Sequence, residues 1–210
     1  MNAPDMLGLT DKELRILKRL TTPIKIQDYL DTIPMNFEKR GETHRSPRRV
    51  LQDHTAHCFE GALLAAATLW INGEKPLIID MRAARGTGDD DHVVTLYKKN
   101  GHWGAISKTN HPSIRFRDPI YRTLRELALS YFHEWFMNTN GTKTLRSYSA
   151  PLNLQTLDAS WVTADKDLWH LDRKLNALRH YPLVPKGNER YLRRADPMEL
   201  KAGRLTEWKG

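Results

Sequence analysis

Two residues in this sequence have the type and the setting for covalent chemistry. Cys58 is the single cysteine, and it opens the run CFEGALLAAATLWI, apolar or small at nearly every position from Phe59 to Ile71. A helix that is apolar all round belongs in a protein interior. Its first turn leaves backbone N–H groups unpaired, and these, with the helix dipole, favour a thiolate and an oxyanion alike. His92 follows the acidic run Asp89, Asp90, Asp91 and opens the segment HVVTLYKK. An imidazole placed beside Cys58 could take its proton and leave a nucleophilic sulfur. On residue types alone the plain roles stay open. Cysteine often serves as a small buried hydrophobe, and a strand histidine can be satisfied by backbone groups.

The elements that must position this pair are readable in outline. Asn72-Gly73 ends the apolar helix with residues that tolerate left-handed backbone. PLIIDMRA (76–83) reads as a buried strand and 85–91 as a loop. Asn100-Gly101 between two alternating segments is a strong hairpin signal. A two-residue turn there sets Thr109 opposite His92 and Ser107 opposite Val94. His92, Val94 and Leu96 then share a face with Ala105, Ser107 and Thr109, and that face is expected to pack on the Cys58 helix. A hydroxyl on the partner strand could orient the imidazole.

Around this core, Thr10 to Glu13 reads as a capping box opening a helix with Leu14, Leu17 and Leu20 on one face. Ile24 to Ile33 reads as a second short helix, and Ser46-Pro47 as the cap and first position of a third. Asp118-Pro119 is expected to start a helix to about Met137, turning Leu124, Leu127, Tyr131 and Trp135 to one side. Residues 144–155 are expected to be extended. A last helix is expected from Asp165 to His180, with Leu168, Leu171, Leu175 and Leu178 inward. The fold class is therefore α+β, a central buried helix packed on an antiparallel sheet with flanking helices. One domain spans 1–182, its core at about 45–140, and 183–210 form a basic tail.

Composition limits the function classes. The chain has 210 residues, 40% apolar and 28% charged, with net charge +8 and pI near 9.6. One cysteine excludes an internal disulfide. The start, MNAPDMLGLTDKE, has no basic region leading into an apolar run, and no apolar stretch is long enough for a membrane span. The expected setting is cytoplasmic, with no membrane partner. The positive charge permits anionic partners without choosing one. Nucleic acid is disfavoured because no recognition motif accompanies the basic residues.

Cys58, Glu60, Ala62, Gly73, Pro76, Asp91, His92 and Trp103 together resemble the transglutaminase-like superfamily of cysteine acyl-transfer enzymes, whose core is similar to the papain group. The resemblance covers roughly residues 50 to 110. It implies a cysteine opening a small-residue helix, an Asp-His pair opening a hairpin strand, and a tryptophan with an acid on the partner strand. In this chain the place of that acid is taken by Ser107. A serine can accept from a ring N–H, but it cannot stabilise an imidazolium as a carboxylate does. Asn110 is a second candidate orienter and Asp118 a third, the last fitting better as an N-cap. Gln52, six residues before Cys58, has the spacing of a papain-like oxyanion donor.

The function expected from the resemblance is acyl transfer from an amide or thioester of a peptide, protein or small amide, through Cys58, His92 and Ser107 and without a cofactor. The alternative is a weak or inactive binding module on the same fold, with a basic anion-binding surface. The segment Lys39, Arg40, Arg45, Arg48, Arg49 would supply that surface. A metal site at His54, His57 and Cys58 is not expected, because the spacing is not that of a ligand set. His57 reads as a neighbour of the site or a capping residue. Asp89, Asp90 and Asp91 read as a solvated loop, and Asp80 and Arg82 as a structural pair.

Overall fold

The computed structural model describes residues 7–209; the first residues of the chain's N-terminal segment, and Gly210, lie outside the described residues. Four helices precede the sheet: α1 (Asp11–Arg19), α2 (Pro23–Thr32), α3 (Pro47–Asp53) and α4 (Cys58–Ile71). Each of the first three begins as its sequence dictates. Thr10 and Glu13 exchange the two bonds of a capping box. Thr22 caps α2, and Pro23 is its first residue rather than an interruption. Ser46 caps α3 through the Arg49 N–H.

The helix α4 is buried along its whole length after Cys58. Gly73, at φ +90°, ends it. Gly61 is needed for close approach. A Cβ there would overlap the side chain of Lys108, so only glycine lets the chain after the hairpin lie against the helix.

The strands are β1 (Leu77–Ala83), β2 (His92–Lys99), β3 (His102–Ile106), β4 (Arg117–Tyr121), β5 (Leu145–Ser149), β6 (Leu152–Asn153) and β7 (His180–Pro182). They form one antiparallel sheet in the order β4-β3-β2-β1-β5-β7, with β6 also paired to β1. Asn100 and Gly101 both take positive φ, as the tight hairpin requires. The register Thr95↔Ile106 through Lys99↔His102 is the expected one.

Which face receives α4 differs from expectation. Val93, Tyr97, Ile78 and Ile106 belong to the core around α4, and Thr95 donates to the Ala62 carbonyl at 2.6 Å. Val94, Leu96 and Ala105 form a second core with Leu127, Tyr131 and Trp135 on the opposite face. Both faces of β2 are apolar, so alternation separates them without saying which one meets the helix. His92 meets Cys58 at the rim of the sheet rather than beneath the helix.

The helix expected from Asp118 is corrected. Residues 117–121 are the edge strand β4, where Pro119 needs no ladder donor. The helix α5 (Leu124–Leu129) starts at the Thr123–Glu126 capping box instead. Leu127, Tyr131 and Trp135 still face inward, the last two beyond the helix end. The last long helix is likewise shorter: α6 is Trp169–Asn176, and His180 already belongs to β7. Leu168, Leu171 and Leu175 are its buried face. The basic tail holds a short helix, α7 (Pro197–Gly203), and returns to the body, where Ala195 N–H donates to Gly141. No helix among the described residues is long and apolar enough to cross a membrane.

Candidate active site

Cys58 is the first residue of α4 and is partly exposed. It lies on the wall of a cleft of about 460 Å³ that also takes in His92, Asp90, Trp135, Asn110 and His111. Burial alone would push the thiol pKa up. Hydrogen bonding to His57 and His92, and the charge they carry, hold it well below the usual thiol range.

His92 is buried at the start of β2. Its Nε2 lies 2.6 Å from Ser107 Oγ, which leaves Nδ1 as the nitrogen free for proton exchange. The ring meets Trp135 edge-on, centroids 5.8 Å apart. Asp89 fixes that tryptophan by accepting from its Nε1 at 3.0 Å and also accepts from the Thr144 hydroxyl. Ser107 is itself held from a distance. Gln27 of α2 accepts from its N–H and donates to its carbonyl, both at 3.0 Å. A buried serine whose backbone is gripped twice presents its hydroxyl in one place.

His57 is the N-cap residue, and its Nδ1 is 4.0 Å from Cys58 Sγ. Its Nε2 is 2.7 Å from the Thr43 carbonyl, which can only accept, so that nitrogen carries a proton. Behind it lies Glu60, a fully buried carboxylate. Glu60 accepts from the Thr43 hydroxyl (2.7 Å), Asn36 Nδ2 (3.1 Å) and the N–H groups of Arg45 (3.1 Å) and His57 (3.0 Å). Burial would raise its pKa, but the His57 charge and these donors more than offset that and leave it lowered. Burial would lower His57; the thiol, Glu60 and Thr43 outweigh that and bring it up to about 9.

The structure therefore gathers Cys58, His92 and Ser107 at one rim. It does not bring Gln52 there: Gln52 is exposed on α3, outside the cleft lining. Asn110 lines the cleft, but its amide is spent on the tail. It donates to the Trp208 carbonyl at 2.9 Å and accepts from the Trp208 N–H at 2.8 Å. Asp118 is exposed in β4 and caps no helix. Asp91 accepts from the Ala83 N–H and so braces the loop rather than His92. Trp103 sits at the far end of the hairpin under Lys98.

The basic segment is largely neutralised. Arg45 pairs with Asp53, Arg48 with Glu13 and Arg49 with Asp167. Asp80 and Arg82 do pair, at 3.1 Å, and His180 joins them. Among the described residues no group of three or more His, Cys, Asp or Glu side chains is placed to hold a metal ion.

Residue reading missed His57, Glu60 and Gln27 as parts of the site. One signal existed for the first two: a histidine directly before the cysteine, and one carboxylate inside an otherwise apolar helix. Gln27 carries no such signal, since its partner lies 80 residues away.

No family model matches the chain. Two agglutinins of Sclerotinia sclerotiorum, one of them from strain ATCC 18683 / 1980 / Ss-1, are each 27% identical to it over 132 residues, covering 56% of this chain and 86% of theirs.

Proposed function

We propose that this chain is a cysteine-dependent acyl-transfer enzyme of the transglutaminase-like kind, acting on an amide or thioester bond of a peptide, protein or small amide. The observation that carries the reading is a thiol held acidic at the wall of an open cleft, next to an imidazole that a buried serine orients. Cys58 attacks the carbonyl carbon, and the first N–H groups of α4 receive the developing oxyanion. His92 takes the thiol proton and delivers it to the leaving group. It then draws a proton from water or an amine as the acyl group leaves sulfur. Hydrolysis and transamidation differ only in that acceptor. A working free thiol fits the cytoplasmic setting read from the sequence.

A second reading is a binding module, and the likeness to the agglutinins is the observation that favours it. Its anionic-ligand version is weakened by the internal pairing of Arg45, Arg48 and Arg49.

The test is the pH dependence of Cys58 alkylation by iodoacetamide, in the native protein and in His92→Ala. Fast alkylation well below the ordinary thiol pKa of ~8.5, slowed by the substitution, is expected. A slow native rate with an ordinary thiol profile would sink the enzyme reading and leave the binding module.

A further inference from the structure

Cys58 is approached by two imidazoles, and their supports differ. His92 is backed by a neutral hydroxyl. His57 is backed by a carboxylate with no solvent exposure, its Nε2 being 3.6 Å from Glu60 Oε1 and 3.7 Å from Glu38 Oε1. An acyl-transfer cycle needs a proton that moves and a sulfur that stays ionised between turnovers. A carboxylate behind an imidazole favours its charged form, and a serine does not.

We propose that the two histidines divide these roles. His57 keeps a proton on both nitrogens throughout the cycle, one N–H on the Thr43 carbonyl and the other toward Cys58 Sγ, and holds the nucleophile as thiolate, while His92 alone carries the mobile proton. The inference rests on the acyl-transfer reading and assigns within it the charge that the Ser107 position lacks.

The balance is simple. The thiol proton passes to His92. The sulfur–carbon bond forms, the carbonyl–leaving-group bond breaks, and the leaving group takes that proton. Water or an amine then returns a proton to His92 as it attacks, and the sulfur–carbon bond breaks to restore the thiolate. His57 neither gains nor loses a proton. The groups around it agree with a fixed charge. Glu60, Glu38 and the Thr43 carbonyl face Nε2, Cys58 faces Nδ1, and the His44 ring lies edge-on at 5.8 Å. Across the thiol stand His92 and Asp90. The result is a histidine that stays charged up to about pH 9.

Two measurements test this. The first is the ¹⁵N titration of the His57 ring in the unaltered protein, which needs no substitution to fold. It is expected to show a doubly protonated ring at neutral pH that titrates near pH 9. A ring titrating at the ordinary histidine value of ~6.5 overturns the proposal. The second uses p-nitrophenyl acetate as the acyl donor, with iodoacetamide alkylation beside it. His57→Gln is expected to shift the alkylation profile upward by about one pH unit or more, a tenfold loss of thiolate on its acid side, and to recover its acylation rate in alkali. His92→Gln is expected to acylate, because nitrophenolate needs no proton to leave, and then to stall as an acyl-enzyme seen by intact mass. If His57→Gln leaves the profile in place while His92→Gln raises it, the division of roles falls and acyl transfer stands. If the native thiol shows an ordinary profile, acyl transfer itself falls.

Discussion

Two buried carboxylates in this molecule each face an imidazole, and burial has opposite outcomes for them. Glu60 lies behind His57 beside the thiol; Asp80 lies at 3.0 Å from His180, on the strand next to β2. Burial pushes both pKa values up. Glu60 has four hydrogen-bond donors besides its ion pair with His57 and ends below the ordinary carboxylate range. Asp80 has His180 and Arg82, with Asp91 repelling it, and ends above that range. The sign of the shift follows the number of dipoles aimed at the oxygens, not depth. A buried carboxylate that must stay charged needs a full set of donors, and only the one near Cys58 has them. Asp80, less fully bonded, links β1, β7 and, through Arg82 and Asn176, α6.

The largest expected effect comes from breaking the fuller set. Glu60→Ala strands Thr43, Asn36 and two backbone N–H groups in the interior, and should cost about 3–5 kcal/mol in denaturant unfolding. Asp80→Ala should cost less, about 2 kcal/mol, because Arg82 keeps Asn176 and His180 keeps the Leu178 carbonyl. Equal losses would mean that donor number is not what separates the two.

A smaller change should make Glu60 behave more like Asp80. Thr43→Val removes one donor, and should cost about 1.5 kcal/mol while letting the Glu60 pKa rise and the His57 pKa fall. An unchanged His57 titration in that variant would break the link between the carboxylate's donors and the imidazole's charge.

The smallest effects lie in the acid limb of stability. A lowered folded pKa, as at Glu60, gives stability that is present above the unfolded value near 4.5 and lost as pH falls through the folded one. A raised folded pKa, as at Asp80, means that the folded state binds the extra proton between the unfolded value near 3.8 and the folded one, so acidification there adds stability. Glu60→Gln should therefore flatten the decline on acidification and Asp80→Asn should steepen it, each by at most about 1.4 kcal/mol per pH unit. Urea titrations from neutral to acid pH read both, and a shift of the two variants in one direction would remove the contrast.

Local signals account for much of what could be read before folding. The Thr10–Glu13 box, the Ser46-Pro47 start, the length of α4 and the Asn100-Gly101 register all depend on residues within a few positions of one another. Where two local signals competed, the reading failed. Asp118-Pro119 has the form of a helix start, and so does Thr123 with Glu126; pairing of β3 with residues 117–121 settled it for the second. Leu178 and His180 continue a helical period, yet pairing with β5 draws His180 into a strand.

The site divides along the same line. The types and order of Cys58, His92 and Ser107 are properties of the chain. A two-residue turn carries the register from Asn100 out to Ser107, so the bond from Ser107 to His92 follows from hairpin geometry. The face on which α4 packs, the grip of Gln27 on Ser107 and the commitment of Asn110 to Trp208 join segments 33 to 98 residues apart. No periodicity spans such distances. They are settled by which apolar surfaces meet and by the need of every buried polar group for a partner, and both conditions exist only once the chain has closed on itself.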